Sequence, residues 1–239
     1  IRNDWEDTLL RRIVESPLGP RGKYVYSDND FILLGKIVEA LTGLTLDKYV
    51  KQEFYDKLSL LTTGFKPRDR FPLSIIVPTE RERGFRMQLL RGDVHDPGAA
   101  MFGEVAGHAG LFSDAYDLAV LSQMLLNGGR IQGKQFIRKE TIDLFTAYQS
   151  SISRRGYGFD KPDPDPSRKE PYPCASASPL TYGHTGFTGT CVWVDPAYDL
   201  VYIFLSNRVN SYGGNKLGRM DVRGKIQEAI YKAMNFRDL

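Results

Sequence analysis

The chain has 239 residues, of which 41% are apolar, and this is enough for a sizeable hydrophobic core in one large domain. The formal net charge is only +3, and acidic and basic residues are mixed along the chain, whereas nucleic-acid-binding proteins concentrate positive charge. The composition therefore argues against a nucleic-acid-binding protein, and no apolar run is long enough to cross a membrane.

Apolar residues at helical spacing predict six helices. In the second helix, Asp28 or Asn29 can act as the N-cap, because a short side-chain oxygen accepts hydrogen bonds from the free N–H groups of a first turn. Gly43 ends this helix, and the next helix packs against it as a helical hairpin. The other five helices are predicted over residues 5–15, 45–58, 115–127, 139–148 and 217–234.

Residues 62–97 contain several prolines and many charged side chains, and they predict a long surface loop. Four arginines lie in this loop, at positions 81, 83, 86 and 91. These arginines form either a solvated face with local ion pairs or an anion-binding patch, and the sequence leaves both interpretations open.

Two of the three histidines, His95 and His108, follow this loop together with Asp96. A metal site would need a third or fourth ligand at a recognisable spacing, and the sequence does not present one. We therefore expect structural histidines beside a Gly-rich turn, no metal and no other cofactor. Cys174 and Cys191 also match no metal spacing, and two unpaired thiols are expected in preference to a disulfide.

The last part of the chain predicts a sheet. Residues 190–194 and 200–206 should pair as antiparallel strands, with residues 157–159 as a further strand candidate. Residues 160–179 contain six prolines and should form a mobile loop. Together the elements predict a single α+β domain, with a mainly helical region over residues 24–150 and the sheet and closing helix over residues 155–239.

One Gly-rich stretch, Gly183-His184-Thr185-Gly186, precedes the first of these strands. Because glycine has no Cβ, a strand edge here can approach another group closely and present backbone N–H groups beside an ionisable ring. The stretch is typical of the wall of an active site, although a structural turn with an edge histidine has the same pattern.

Three stretches in this order resemble the serine β-lactamase and penicillin-binding-protein superfamily, most closely its class C and esterase branch. Tyr26-Ser27-Asp28 is similar to the Tyr-x-Asn motif of that branch and leads into the same kind of helix. Residues 107–113, Gly-His-Ala-Gly-Leu-Phe-Ser, resemble a Gly-rich turn of the family. Gly183-His184-Thr185-Gly186 stands where the family has Lys-Thr-Gly. The resemblance implies a β-lactamase/transpeptidase-like fold.

The resemblance also implies acyl transfer through a serine acyl-enzyme. Tyr26 would exchange protons with the nucleophile and the leaving group, and His184 would replace the strand Lys. The backbone N–H of Phe187 would form half of the oxyanion hole. The residues expected to contact substrate or the oxyanion are Asp28, Thr185, Gly186 and Phe187. Tyr26 and His184 should then converge on one pocket, unless Tyr26 is only a buried aromatic and Asp28 only a helix cap.

The family's nucleophile motif, Ser-x-x-Lys, does not occur in the chain, because no Ser is followed by Lys three positions later. We therefore expect the catalytic Ser and Lys to lie upstream of Ile1, together with the first strands of the sheet, and this chain alone to be inactive. Residues 1–5 contain neither an initiator Met nor a signal-peptide pattern, which is typical of a fragment or a processed chain. The sheet should accordingly have an unpaired edge, and the closing helix an incompletely covered apolar face.

Two departures from the family motifs bear on the substrate. His184 in place of Lys removes a fixed positive charge, and Asp28 in place of Asn replaces an amide with a carboxylate. Both argue against an efficient β-lactamase and favour an esterase or an amidase/peptidase acting on a small ester, amide or peptidoglycan-like substrate. The alternative is a non-catalytic cell-wall-binding or accessory module of the same fold. The resemblance implies a bacterial periplasmic or cell-envelope protein, in some cases fused behind a glycoside hydrolase.

Overall fold

The computed structural model describes residues 5–165, 167, 169, 171–211 and 214–235. The chain divides into two units, which we call unit 1 (Ile1–Asp117) and unit 2 (Leu118–Leu239). None of the helices in the described ranges is long and apolar enough to span a lipid bilayer.

The described regular structure of unit 1 is helical apart from two short strands. Its two short strands pair as an antiparallel ladder inside the predicted loop over residues 62–97, which is otherwise irregular apart from two 3₁₀ turns. The predicted helix over residues 45–58 is an α-helix that continues as a π-helical turn. The elements are α1 (Trp5–Val14), α2 (Asn29–Thr42), α3 (Leu46–Val50), the π turn (Lys51–Tyr55), the 3₁₀ turns (Pro67–Asp69 and Leu73–Ile75), β1 (Glu80–Arg81), β2 (Leu89–Leu90) and α4 (Pro97–Met101).

The start of α2 differs from the prediction in one respect. Asp28 stands at the N-cap position, but its side chain makes no capping hydrogen bond. Its φ of −72° and ψ of −24° are helical, whereas a capping side chain usually needs an extended backbone. Ser27 Oγ instead accepts a hydrogen bond from the Asn29 N–H at 3.2 Å. Gly43 ends α2 as predicted, with φ of 69° and its N–H bonded to the carbonyl of Glu39.

Two glycines allow α2 to pack against the Gly-rich turn at residues 107–110. A Cβ on Gly107 would lie 2.1 Å from the carbonyl oxygen of Phe31, a separation that no side chain can occupy. A Cβ on Gly35 would lie 3.2 Å from the Gly107 nitrogen. The backbones therefore approach directly, beside an apolar core formed by Ile32, Val94, Ala99, Ala100, Phe102 and Ala106.

One of the four arginines in the predicted surface loop is fixed by hydrogen bonds to nearby backbone carbonyls. The Arg86 guanidinium donates to the carbonyls of Val94 and His95, at 2.6 Å and 2.7 Å. Arg86 is therefore a structural residue that ties the loop to the segment before α4. The His95 ring in turn contacts the Glu80 carboxylate at 2.9 Å, in agreement with its predicted structural role.

Unit 2 contains a three-stranded antiparallel sheet whose strands lie in the order β5 (Tyr182–Thr185), β6 (Cys191–Asp195) and β7 (Leu200–Phe204). The predicted strand pair is confirmed, whereas residues 157–159 form no strand; only Asp160, next in the chain, makes an isolated bridge to Gly183. Among the described residues β7 pairs only with β6, so its outer edge is unpaired as predicted. The elements are α5 (Ala115–Leu126, which begins in unit 1), β3 (Arg130–Ile131), β4 (Lys134–Gln135), α6 (Lys139–Thr146), β5 (Tyr182–Thr185), β6 (Cys191–Asp195), β7 (Leu200–Phe204), α7 (Lys216–Arg219) and α8 (Val222–Asn235).

Helix α8 lies where the closing helix was predicted. Its Tyr231 side chain is completely buried, whereas that of Ile226 is 39% exposed. This exposure agrees with an incompletely covered apolar face. In the proline-rich stretch between α6 and β5, residues 166, 168 and 170 lie outside the described residues; the described remainder contains no regular helix or strand. Its predicted mobility stays a prediction.

Buried polar groups fix the sheet of unit 2. The Asp195 carboxylate, 1% exposed, accepts hydrogen bonds from the hydroxyls of Ser178, Thr181 and Tyr231. Both cysteines of unit 2, Cys174 and Cys191, are buried and unpaired, which confirms the expected free thiols.

Candidate active site

The Tyr-x-Asp stretch lies at the surface of unit 1. Tyr26 is in the irregular segment before α2, and its side chain is 61% exposed. The alternative that Tyr26 is a buried aromatic residue is therefore wrong. Asp28 is also exposed. Both groups are thus accessible to a ligand, as a catalytic phenol and a substrate-contacting carboxylate would have to be.

The Gly-rich stretch of unit 2 forms β5 and the turn after it. Gly183 lies opposite Trp193, and a Cβ on Gly183 would sit 2.8 Å from the Trp193 ring and 2.0 Å from the Val192 carbonyl oxygen. Gly183 therefore gives the close approach that the sequence predicts for this edge. His184 follows it and faces a partner from outside the sheet.

That partner is Arg155, whose Nη1 lies 2.6 Å from His184 Nε2. A guanidinium only donates hydrogen bonds, so Nε2 must accept. Nδ1 lies 2.7 Å from the carbonyl oxygen of Thr185 and therefore carries the ring proton. Burial lowers the pKa of His184 most, and the Arg155 and Arg154 guanidiniums lower it further. The Thr185 carbonyl and Asp160 act in the opposite direction but do not cancel this lowering of the pKa. His184 is thus a neutral imidazole of defined tautomer.

A buried carboxylate organises the two arginines. Asp160 is 1% exposed and accepts two hydrogen bonds from Arg154, at 2.8 Å and 3.0 Å, while Arg155 Nε lies 3.4 Å from it. The Tyr172 hydroxyl donates to the same carboxylate at 2.8 Å. The Asp160 backbone pairs with that of Gly183, at 2.7 Å and 3.0 Å. Because of these contacts the Arg155 guanidinium is held beside β5.

The turn after β5 contains the remaining predicted residues. The Gly186 N–H donates to the Thr190 carbonyl at 2.7 Å, which closes the turn. A Cβ on Gly186 would lie 2.2 Å from Thr190 Oγ1, so a larger residue would force the Thr190 side chain to rotate. The Phe187 side chain is 69% exposed, and the Arg208 guanidinium lies 4.6 Å from the centre of its ring. Phe187 is thus displayed at the surface of unit 2.

One group of side chains in unit 1 could hold a metal ion. A carboxylate oxygen of Asp28, one of Asp96 and a ring nitrogen of His108 all lie within 4.8 Å of one another. The sequence missed this grouping because Asp28 is distant along the chain, and ligand spacing detects only ligands that are close in sequence.

The structure brings some of the predicted residues together. His184, Thr185, Gly186 and Phe187 are consecutive in unit 2, and Tyr26 and Asp28 belong to unit 1. The convergence of the two groups on one pocket stays a prediction. Arg154, Arg155 and Asp160 were not predicted from the sequence, although two adjacent arginines upstream of the Gly-rich segment were a usable signal.

The sequence model of the β-lactamase family matches residues 2–223. A protein of Escherichia coli K12, provisionally named a D-alanyl-D-alanine carboxypeptidase, is 38% identical over 216 residues, which are 84% of this chain and 49% of that protein. A relative of the same name from Salmonella gallinarum is 37% identical over 220 residues, covering 86% of this chain and 50% of its own. The chain spans about half the length of these curated relatives.

Solved structures share the architecture. The penicillin-binding protein from Bacillus halodurans matches with a TM-score of 0.62 at 18% identity, covering 95% of this chain and 63% of that one. At such an identity the match bears on the fold alone. It confirms the β-lactamase/transpeptidase-like α+β fold that the sequence motifs imply.

Proposed function

Because the chain belongs to the β-lactamase family, we propose that it is part of a serine hydrolase that cleaves peptides ending in a free carboxylate, of the D-alanyl-D-alanine type. The supporting observation is the Arg155–His184 contact of 2.6 Å. The relatives' provisional name, D-alanyl-D-alanine carboxypeptidase, gives the substrate class. The activity belongs to the intact protein, since the chain spans only half of those relatives.

Arg155 would supply the positive charge that the motif itself lacks. His184 occupies the family's Lys position as a neutral ring, but the guanidinium bonded to it carries a permanent charge. The Arg155 side chain is 22% exposed, so a ligand carboxylate can reach it. A guanidinium binds a carboxylate through two parallel hydrogen bonds, which a Lys ammonium cannot match in geometry. This favours a peptidase over a plain esterase, because a simple ester presents no carboxylate to Arg155.

The chemistry would follow the family pattern. The hydroxyl oxygen of a serine outside this sequence attacks the penultimate carbonyl carbon, Tyr26 accepts the hydroxyl proton, and a tetrahedral oxyanion forms. The Phe187 N–H and the N–H of the serine would stabilise that oxyanion. The C–N bond then breaks, the leaving amine takes the proton, and water hydrolyses the ester intermediate.

The remaining site residues would position the peptide. Thr185 and Gly186 would border it along the β5 edge, and Asp28 would accept a hydrogen bond from an amide N–H of the peptide. We infer a periplasmic or cell-envelope location from this substrate. A covalent fusion to a glycoside hydrolase is a further proposal, which rests only on the family resemblance.

The test uses the full-length protein that contains this chain. Release of D-alanine from a D-Ala-D-Ala peptide is compared with release of D-alanine amide from the same peptide carrying a C-terminal amide. We expect Arg155→Ala to lower kcat/KM for the carboxylate peptide by about 10²-fold, as loss of a charged hydrogen bond does, and to change the amide peptide little. Arg130 is an exposed arginine of β3, so Arg130→Ala is the matched control and should leave kcat/KM unchanged for both peptides.

Two results would overturn this function. One is an equal fall in kcat/KM for the carboxylate peptide and the amide peptide in Arg155→Ala, which would mean that Arg155 is only structural. The other is the absence of acylation by a fluorescent penicillin and of D-alanine release in the full-length protein. In that case peptide binding without turnover would support the non-catalytic cell-wall-binding alternative.

A further inference from the structure

We propose that Asp28, Asp96 and His108 bind a single Zn²⁺ ion in unit 1, with water completing the coordination. A carboxylate oxygen of each Asp and a ring nitrogen of His108 lie within 4.8 Å of one another. Two carboxylates and one imidazole are three of the four ligands that an open zinc site requires.

The fold places these ligands by identifiable contacts. The direct packing of Gly35 on Gly107 brings the turn that carries His108 against α2, the helix that Asp28 precedes. Asp96 is the N-cap of α4, and its Oδ1 accepts the Ala99 N–H at 2.7 Å. Two of the ligands are thus fixed by backbone geometry before any ion arrives, which lowers the ordering cost of binding.

The Asp96–His108 pair is already prepared for a cation. His108 Nε2 lies 2.8 Å from Asp96 Oδ1. Together with the Ala99 N–H bond at 2.7 Å, this contact holds the carboxylate oxygen of Asp96 in place.

His108 also has an unfilled polar position. Its side chain is only 5% exposed, and in the part of the chain that the structure describes its Nδ1 has no hydrogen-bond partner. A buried polar atom without a partner costs about 1–3 kcal/mol. Because no other described residue engages Nδ1, the ring proton can move there without breaking another hydrogen bond when Zn²⁺ binds Nε2.

Asp28 is the third ligand and leaves the site accessible. It is exposed, and among the described residues its carboxylate makes no hydrogen bond or ion pair. Two carboxylates this close repel each other unless a cation lies between them. In a tetrahedral zinc site neighbouring ligand atoms are about 3.4 Å apart, so a small rotation of the unrestrained Asp28 side chain closes the geometry.

A glycine keeps space beside the pair. A Cβ on Gly98 would lie 2.9 Å from Asp96 Oδ1 and 3.8 Å from His108 Nε2. The ring nitrogen ligand selects Zn²⁺ over Mg²⁺ and Ca²⁺, which prefer oxygen alone. The ion would lie next to the Tyr-x-Asp stretch and so add positive charge close to Tyr26 along the chain.

The experiment is a calorimetric titration of the purified chain, stripped with EDTA, with ZnCl₂ at neutral pH. We expect one Zn²⁺ per chain, undisturbed by excess MgCl₂. Asp28→Ala should raise the Kd at least about 10-fold, as loss of a ligand does, and His108→Gln should do the same. Asp30→Ala, an exposed carboxylate in the first turn of α2, is the matched control and should leave the Kd within about 2-fold.

Thermal unfolding in EDTA checks that each variant is folded. Because the Asp28 side chain holds nothing in place, Asp28→Ala decides the question even where His108→Gln unfolds. Absence of saturable Zn²⁺ binding would overturn the zinc site. Unchanged Zn²⁺ affinity in Asp28→Ala would also overturn it and would point to His95 and Glu80 as the ligands instead. Zinc binding is measured without substrate, so its failure leaves the hydrolase proposal untouched.

Discussion

Gly35 and Gly107 are in direct backbone contact: a Cβ on Gly107 would lie 3.3 Å from the Gly35 nitrogen and 2.1 Å from the Phe31 carbonyl oxygen. The contact packs the Gly-rich turn of unit 1 onto α2 and so positions His108 near Asp28. Neither neighbour is a flexible side chain, so the backbone itself would have to move to admit a methyl group.

Gly107→Ala should therefore destabilise unit 1. Overpacking of this kind costs about 1–3 kcal/mol or more, because backbone atoms are displaced. Urea unfolding followed by circular dichroism measures the change. Gly19→Ala is the matched control, because a Cβ there meets nothing within 4 Å. Equal stability of the two variants would show that the Gly35–Gly107 contact is looser than the structure indicates.

Arg155→Gln should raise the pKa of His184. Burial lowers this pKa most, and the Arg155 guanidinium lowers it further, so removing the charge moves the pKa back toward its ordinary value. An NMR titration of the His184 ring in wild type and variant measures the change. If His184 titrates identically in Arg155→Gln and in the control Arg130→Gln, the two side chains do not interact in solution.

Asp195→Asn should destabilise unit 2 by about 3 kcal/mol, because several donors lose a charged acceptor. Although burial raises the pKa of Asp195, hydrogen bonds from Ser178, Tyr231 and Thr181 lower it overall. A lowered carboxyl pKa gives stability that is complete above the ordinary value of 3.8 and is lost as pH falls through the folded value. The free energies of unfolding of wild type and Asp195→Asn should therefore converge in acid.

The exposed Asp199, in the turn that follows β6, provides the control for this experiment. Asp199→Asn should change the free energy of unfolding by less than about 0.5 kcal/mol at any pH. A difference between wild type and Asp195→Asn that stayed constant down to strong acid would contradict the assigned direction of the pKa shift.

Lys161 should make unit 2 more stable in mild alkali. Burial lowers the pKa of this 2% exposed ammonium to about 8 from 10.5, against an opposing effect of Asp195. Because the unfolded chain then binds more protons, the free energy of unfolding rises with pH between about 8 and about 10.5. Comparison of Lys161→Met with wild type by urea unfolding should show a rise of about 3 kcal/mol in wild type only. A rise of the same size in Lys161→Met would assign it to other groups.

Local rules predicted much of this fold. Periodicity placed α1, α2, α5 and α6 within a few residues, and Gly43 marked the end of α2, because these features depend on neighbours in the sequence. The single helix predicted over residues 217–234 is divided into α7 and α8. The strand pair β6 and β7 was also predictable from its apolar run and turn.

Long-range contacts were not predictable in the same way. The guanidinium of Arg155 reaches His184 only because Asp160 pairs with β5, and no spacing rule encodes that pairing. Asp28 failed as a side-chain cap because its backbone is helical, a property that its residue type does not reveal. The motif residues of the candidate active site could therefore be named from the sequence, whereas the charged side chains that contact them could not.

The two thiols of unit 2 have a practical consequence. Burial raises the pKa of Cys174 to about 12 and that of Cys191 to about 11, so neither is a nucleophile in the native state. A maleimide dye can then attach only when unit 2 opens. The rate at which the protein gains the mass of the dye therefore measures the spontaneous opening of unit 2, with no engineered label.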